Sequence, residues 1–208
     1  MEAGGIDMKL IISPHPDDVF ISLSNFLANA NNDVLVAIFE GNEMEAFNLS
    51  NWFKVKTLYI SMPEGDLNYY SFYKTHKKGK LFDANEIMKN FSEEDFLQKI
   101  KDIKDFDGEV CLPLGVGHPY HYFLKLAFEK IFKDKKIFYY QDYFHSLKKT
   151  FALQLSEATK DKKLFSELPP IDNKKDLFSK LFPSQKGYFW FEKRFFDLNP
   201  KEKIWVIR

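Results

Sequence analysis

Residues 13–18 read Ser-Pro-His-Pro-Asp-Asp, and residues 117–121 read Gly-His-Pro-Tyr-His. Each motif follows an apolar run, "LII" at 10–12 and "VCLPL" at 110–114, where a strand would end and a helix begin. Proline is favoured at the first helical position, so His15 and His118 are candidate N-caps, and Asp18 and His121 fall at the third helical position. Residues three apart at a helix start share a face, so each motif presents two side chains in one direction. The groups offered are imidazoles and carboxylates without thiolates, the donors of a divalent zinc site that keeps one coordination position open. Water activated in such a site must still lose a proton as it attacks, and Asp17 is the adjacent carboxylate. A helix N-terminus favours ionised carboxylates and disfavours imidazolium, which biases these histidines towards the neutral, metal-binding form. Taken singly, each motif also reads as a plain helix cap, because Pro in a first turn needs no function.

The elements that must position these groups are legible from periodicity. Short apolar runs rich in β-branched or aromatic residues predict strands at 8–13, 33–40, 55–61, 109–114 and 136–141. Helical spacing covers 17–30, 43–53, 92–105 and 119–133, with Phe123, Leu126, Ala127 and Ile131 on one stripe. This alternation predicts an α/β fold, a Rossmann-like three-layer domain with a mostly parallel central sheet. Both His-Pro motifs then fall at carboxyl ends of strands, where such sheets bind ligands. Residues 63–90 are polar and break the alternation, and they are expected to form a surface loop or insertion near the mouth of the sheet. Residues 187–196 and 203–208 read as added strands or covering segments, and residues 1–7 as a disordered N-terminus.

With 208 residues and 45% hydrophobic content, the chain is expected to be one domain, 1–208. Thirty Lys+Arg balance thirty Asp+Glu in dispersed order, which argues against a nucleic-acid partner and for a small molecule. Apolar stretches reach only about eight residues against roughly 18–20 for a bilayer crossing, and no cationic start precedes an apolar signal segment, so the expectation is a soluble, cytoplasmic protein without a membrane span. The lone Cys111 lies in an apolar run and reads as a buried structural thiol. Arg194 and Arg208 are the only arginines, so a site in the first 190 residues must hold anions without a guanidinium fork.

"SPHPDD" after the first strand, "GHPYH" after a later one and "YYQDY" at 139–143 resemble the LmbE/PIG-L family of zinc-dependent N-acetyl-sugar deacetylases. The likeness covers residues of about 8 to 145. The family pattern implies that His15, Asp18 and His121 bind zinc, that Asp17 is the general base, and that His118 stands by the substrate carbonyl to stabilise the oxyanion or protonate the leaving amine. The implied reaction is hydrolysis of a linear amide: metal-bound water attacks the N-acetyl carbonyl of an amino sugar or its glycoside. Departures flank these positions. Val19 replaces the usual Glu, Tyr120 replaces the usual Asp, and "EGNEMEA" stands where a substrate-holding Arg often lies. Asp142 is therefore the candidate partner for the His118 ring, and Tyr120 and Asn42 join it as residues expected behind the ligands or beside substrate. A site of His, His and Asp would also accept another divalent transition metal.

Other features read as structure. "GVGH" at 115–118 lacks the further glycine and the lysine of a phosphate loop, and Ser13 lacks a nucleophile-elbow setting. His76 and His145 are taken as solvated or hydrogen-bonded structural residues, and the 23 Phe and 10 Tyr mostly as core. Tyr69, Tyr70, Phe72 and Tyr73 are candidates to stack on a sugar ring. Two functions follow: the deacetylase, and a metal-containing carbohydrate-binding or scaffold protein of the same fold that has lost turnover. The oligomeric state is left open, a homo-oligomer included.

Overall fold

The computed structural model describes residues 8–30, 33–62, 80–143, 145–188 and 196–207. The sheet has seven strands: β1 (Met8–Ser13), β2 (Leu35–Ile38), β3 (Lys56–Tyr59), β4 (Glu109–Pro113), β5 (Ile137–Tyr140), β6 (Lys162–Leu168) and β7 (Glu202–Ile207), in the order β3-β2-β1-β4-β5-β7-β6. β1 to β5 pair in parallel, while β7 runs antiparallel to both β5 and β6. This α/β arrangement is compatible with a Rossmann-like layout, and its order reverses at β1 and β4, the strands that precede the two His-Pro motifs.

Continuous apolar strands follow from burial on both faces. Leu10 and Ile12 enter one core, with Leu112, Tyr120 and Phe128, while Ile11 enters the other, with Cys111, Phe20 and Phe178. Burial pushes the Cys111 thiol pKa well up, in keeping with a structural role. Helices α1 (Pro16–Ala28), α2 (Glu43–Phe53) and α5 (Pro119–Ile131) lie close to expectation. Between α2 and α5 the described residues hold α3 (Ala84–Ile87) and α4 (Glu93–Lys99). α4 is shorter than the expected 92–105, because Ile100 caps it and turns carry the chain through Ile103 into the core. In the expected loop 63–90, residues 63–79 lie outside the described residues, and with them His76, Tyr69, Tyr70, Phe72 and Tyr73; so do residues 1–7 and most of 187–196. Helices α6 (Ala152–Thr159) and α7 (Lys174–Leu181) and strand β6 complete the less regular third of the chain.

α1 is not continuous. Leu23 adopts φ −138° and ψ 22°, and the freed polar groups are satisfied from the C-terminal third of the chain. The fully buried Glu202 carboxylate accepts from Ser24 Oγ at 2.7 Å and from the N–H groups of Asn25 at 2.7 Å and Phe26 at 3.1 Å. Lys174 Nζ donates to Ile21 O at 2.7 Å and stands 3.6 Å from Glu202. The break thus has a carboxylate on its freed donors and an ammonium on its freed acceptor.

Candidate metal centre

Both His-Pro motifs begin helices as expected, with Pro16 and Pro119 in first turns. Ser13 Oγ donates to His15 O at 2.6 Å and tightens the turn, and Asp18 Oδ2 accepts the His15 N–H at 3.1 Å as a third-position capping acid does. Gly41, at φ 112°, lets the loop after β2 close on α1, since a Cβ there would stand 2.8 Å from Pro16 Cδ. The His118 ring makes no capping hydrogen bond, so capping does not account for that histidine.

The rings converge instead. His15, His118 and His121 have ring centres 4.8 to 6.0 Å apart. Asp18 Oδ2 lies 2.8 Å from His15 Nδ1 and 3.1 Å from His121 Nε2, and ligand atoms of these three residues all fall within 4.8 Å of one another. Tetrahedral zinc with bonds of about 2.0–2.1 Å needs donors about 3.3 Å apart, so the donor set fits a divalent ion after small adjustments. His15, Asp18 and His121 could therefore hold a metal ion. No protein-family model, no curated protein and no solved structure matches this chain.

The supporting shell differs from expectation in three places. Asp142 was expected to serve His118, but its Oδ1 lies 2.9 Å from His121 Nδ1, and its Oδ2 accepts the Val116 N–H at 3.0 Å. It fixes the ring orientation of a candidate ligand, as carboxylates behind metal-bound histidines do. Tyr120 is fully buried and its hydroxyl donates to Met62 O at 2.6 Å, so it backs the site from the core and does not reach solvent. Asn42 is exposed, and its Oδ1 accepts the Met44 N–H at 2.9 Å as the N-cap of α2. Two residues that the motifs did not flag belong to the cluster. Glu40 Oε2 stands 3.8 Å from His15 Nε2, and the His145 ring centre is 5.4 Å from His118 and 5.7 Å from His121. Glu40 was legible only as the end of a strand at the sheet's carboxyl edge; His145 had no sequence signal beyond its residue type.

In the metal-free chain, neighbouring carboxylates outweigh the helix ends at His15 and His121. Burial works against charge on His121, yet Asp18 and Asp142 lift its pKa to about 9. His15 is likewise opposed by burial and raised well above its ordinary value, chiefly by Asp18. Burial would raise Asp18, but His121 and His15 hold it well below the carboxylate range. A helix N-terminus contributes about 0.3–1 kcal/mol, too little against carboxylates in contact. Away from Asp18 the trend reverses. Burial, with His121 and His145 nearby, holds His118 well below its ordinary value, and burial with His121 brings His145 down to about 3. Burial and the Asp18 charge push Asp17 up to about 7. Without a metal, the trio thus pairs two imidazoliums with one carboxylate, and a divalent ion binding there would displace their protons; beside it stand a neutral His118 and an Asp17 carboxyl poised near neutrality.

Proposed function

We propose that this chain is a zinc-dependent amide hydrolase of the LmbE/PIG-L type that removes the N-acetyl group from an amino sugar or its glycoside. The observation that carries the reading is the meeting of His15 Nδ1, Asp18 Oδ2 and His121 Nε2 around one point, with Asp17 beside Asp18 in the same helical turn. Zinc held by these three residues would supply Lewis acidity towards the amide carbonyl and acidify water. Asp17, with a pKa near neutrality, takes the proton of the attacking water. His118, kept neutral, donates an N–H hydrogen bond to the developing oxyanion, and the proton that Asp17 took from water passes to the leaving amine as the C–N bond breaks. Asp142 holds the His121 ring in its ligating orientation. Amide chemistry is supported by this arrangement, and the amino-sugar half by the motif resemblance.

The rival reading, a metal-containing carbohydrate-binding or scaffold protein without turnover, draws on Val19, Tyr120 and the missing substrate-holding arginine. Val19 and Tyr120 are fully buried in the core, so these two departures leave Asp17 and His118 in place, which favours the enzyme; the missing arginine bears on substrate. Zinc titration followed by an acetate-release screen on N-acetylglucosamine-type compounds separates the two. The enzyme is expected to take about one zinc equivalent and release acetate, and Asp17→Ala to lose turnover by about 10²-fold or more while keeping the metal. Sugar binding without acetate release across the panel would favour the rival.

A further inference from the structure

Four of the chain's five histidines gather at the carboxyl edge of the sheet, and the proposed mechanism employs three of them. The fourth, His145, is half-buried against the other two imidazoles of the α5 turn. Its backbone is held by the turn that also carries Asp142: Ser146 N–H donates to Asp142 O and Lys148 N–H to His145 O, each at 3.0 Å. Room for the side chain comes from the facing loop. Gly117 has φ 78°, and a Cβ there would stand 2.5 Å from His145 Cβ and 3.0 Å from its Cγ. The position therefore combines a glycine that any side chain would disrupt with an imidazole packed into the space it leaves.

That imidazole is not used by the fold in the way buried histidines usually are. Its Nδ1 is buried and makes no hydrogen bond to another described residue. A buried polar nitrogen without a partner destabilises the protein that carries it, and an apolar side chain of similar size would avoid the cost. Such a group is expected where a ligand completes it.

We infer that His145 is a substrate-contacting residue, its imidazole hydrogen-bonding the acyl-amide group that binds beside His118 and His121. The inference rests on the metal-centre reading and extends it: the acyl group is gripped by two imidazoles from different loops, one after β4 and one after β5. Calorimetric titration of zinc, and then of acetohydroxamate into the zinc-loaded protein, provides the test. His145→Leu is expected to take zinc as the wild type does, to bind acetohydroxamate about tenfold or more weakly, and to melt in its metal-free form no lower than wild type. His145→Asn, which keeps a polar atom near the Nδ1 position, is expected to recover most of the lost binding. Hydroxamate affinity within twofold of wild type in His145→Leu would overturn the inference, as would a lowered melting temperature in both variants, which would make the imidazole a structural residue. Wild-type protein that takes no zinc would instead overturn the metal-centre reading on which the inference stands, and that titration precedes any variant.

Discussion

Asp17 and Asp18 are neighbours in sequence and opposites in chemistry. Asp18 is held ionised by two imidazoles, whereas Asp17 is pushed towards its protonated form by burial and by the charge on Asp18. With a folded pKa of about 7 against an ordinary 3.8, Asp17 binds its proton more tightly in the folded state. Its contribution to stability is therefore fully present below about pH 4 and is lost as pH rises through about 7. Asp17→Asn removes that dependence. The metal-free variant is expected to be more stable than wild type at pH 8, by about 1–3 kcal/mol, with the difference closing towards pH 4, as measured by urea unfolding at the two pH values. In the zinc-loaded variant turnover should vanish, since the amide cannot accept the proton; a stabilised and, with zinc, fully active Asp17→Asn would remove Asp17 from the mechanism. That His15, Asp18 and His121 could meet was readable because a His-Pro turn is a local device whose spacing sets the direction of its side chains. Which nitrogen faces which carboxylate was not, because that depends on side chains from three strand ends.

At the scale of the element, α1 shows how a locally plausible helix is cut by distant residues. Periodicity alone predicts a continuous run over 17–30, and nothing at Leu23 announces a break. Glu202 and Lys174 create it by serving the polar groups that the break exposes. Burial pushes the Glu202 pKa up and brings Lys174 down to about 8, so desolvation opposes both charges and the hydrogen bonds retain them. Removing one partner of such an arrangement leaves the other uncompensated. Glu202→Leu is expected to lose about 3–5 kcal/mol in chemical unfolding, whereas Glu202→Gln, which still accepts from Ser24 or Asn25, should lose less. Equal losses in the two variants would mean that volume, not hydrogen bonding, matters there. The Pro16 end of α1, which bears the candidate ligands, is thereby anchored to a segment that follows them by more than 150 residues.

The whole molecule supplies what neither motif contains. β1 and β4 are adjacent and parallel, so the turns that follow them open on the same edge, and β5 beside β4 adds Asp142 and His145 to that edge. Among the described residues no helix is long and apolar enough to cross a membrane. Because the donor set exists only in the folded chain, metal should stabilise it by mass action. Zinc at 100 times its dissociation constant is expected to add about 2.7 kcal/mol, or roughly 5–10 °C in melting temperature for a chain of this size. His121→Ala should abolish most of the shift, and an undiminished shift in that variant would place the metal elsewhere. The amino-acid order by itself determined the strand-helix alternation, the donor types and their places at helix starts, since these follow from periodicity, proline geometry and spacing within a turn. Only the tertiary structure decided that Asp142 serves His121, that Tyr120 is committed to the core, that His145 joins the cluster and that α1 breaks at Leu23. Those outcomes depend on contacts between residues 21 to 178 positions apart, whose meeting is set by strand order and packing, and no local pattern encodes it.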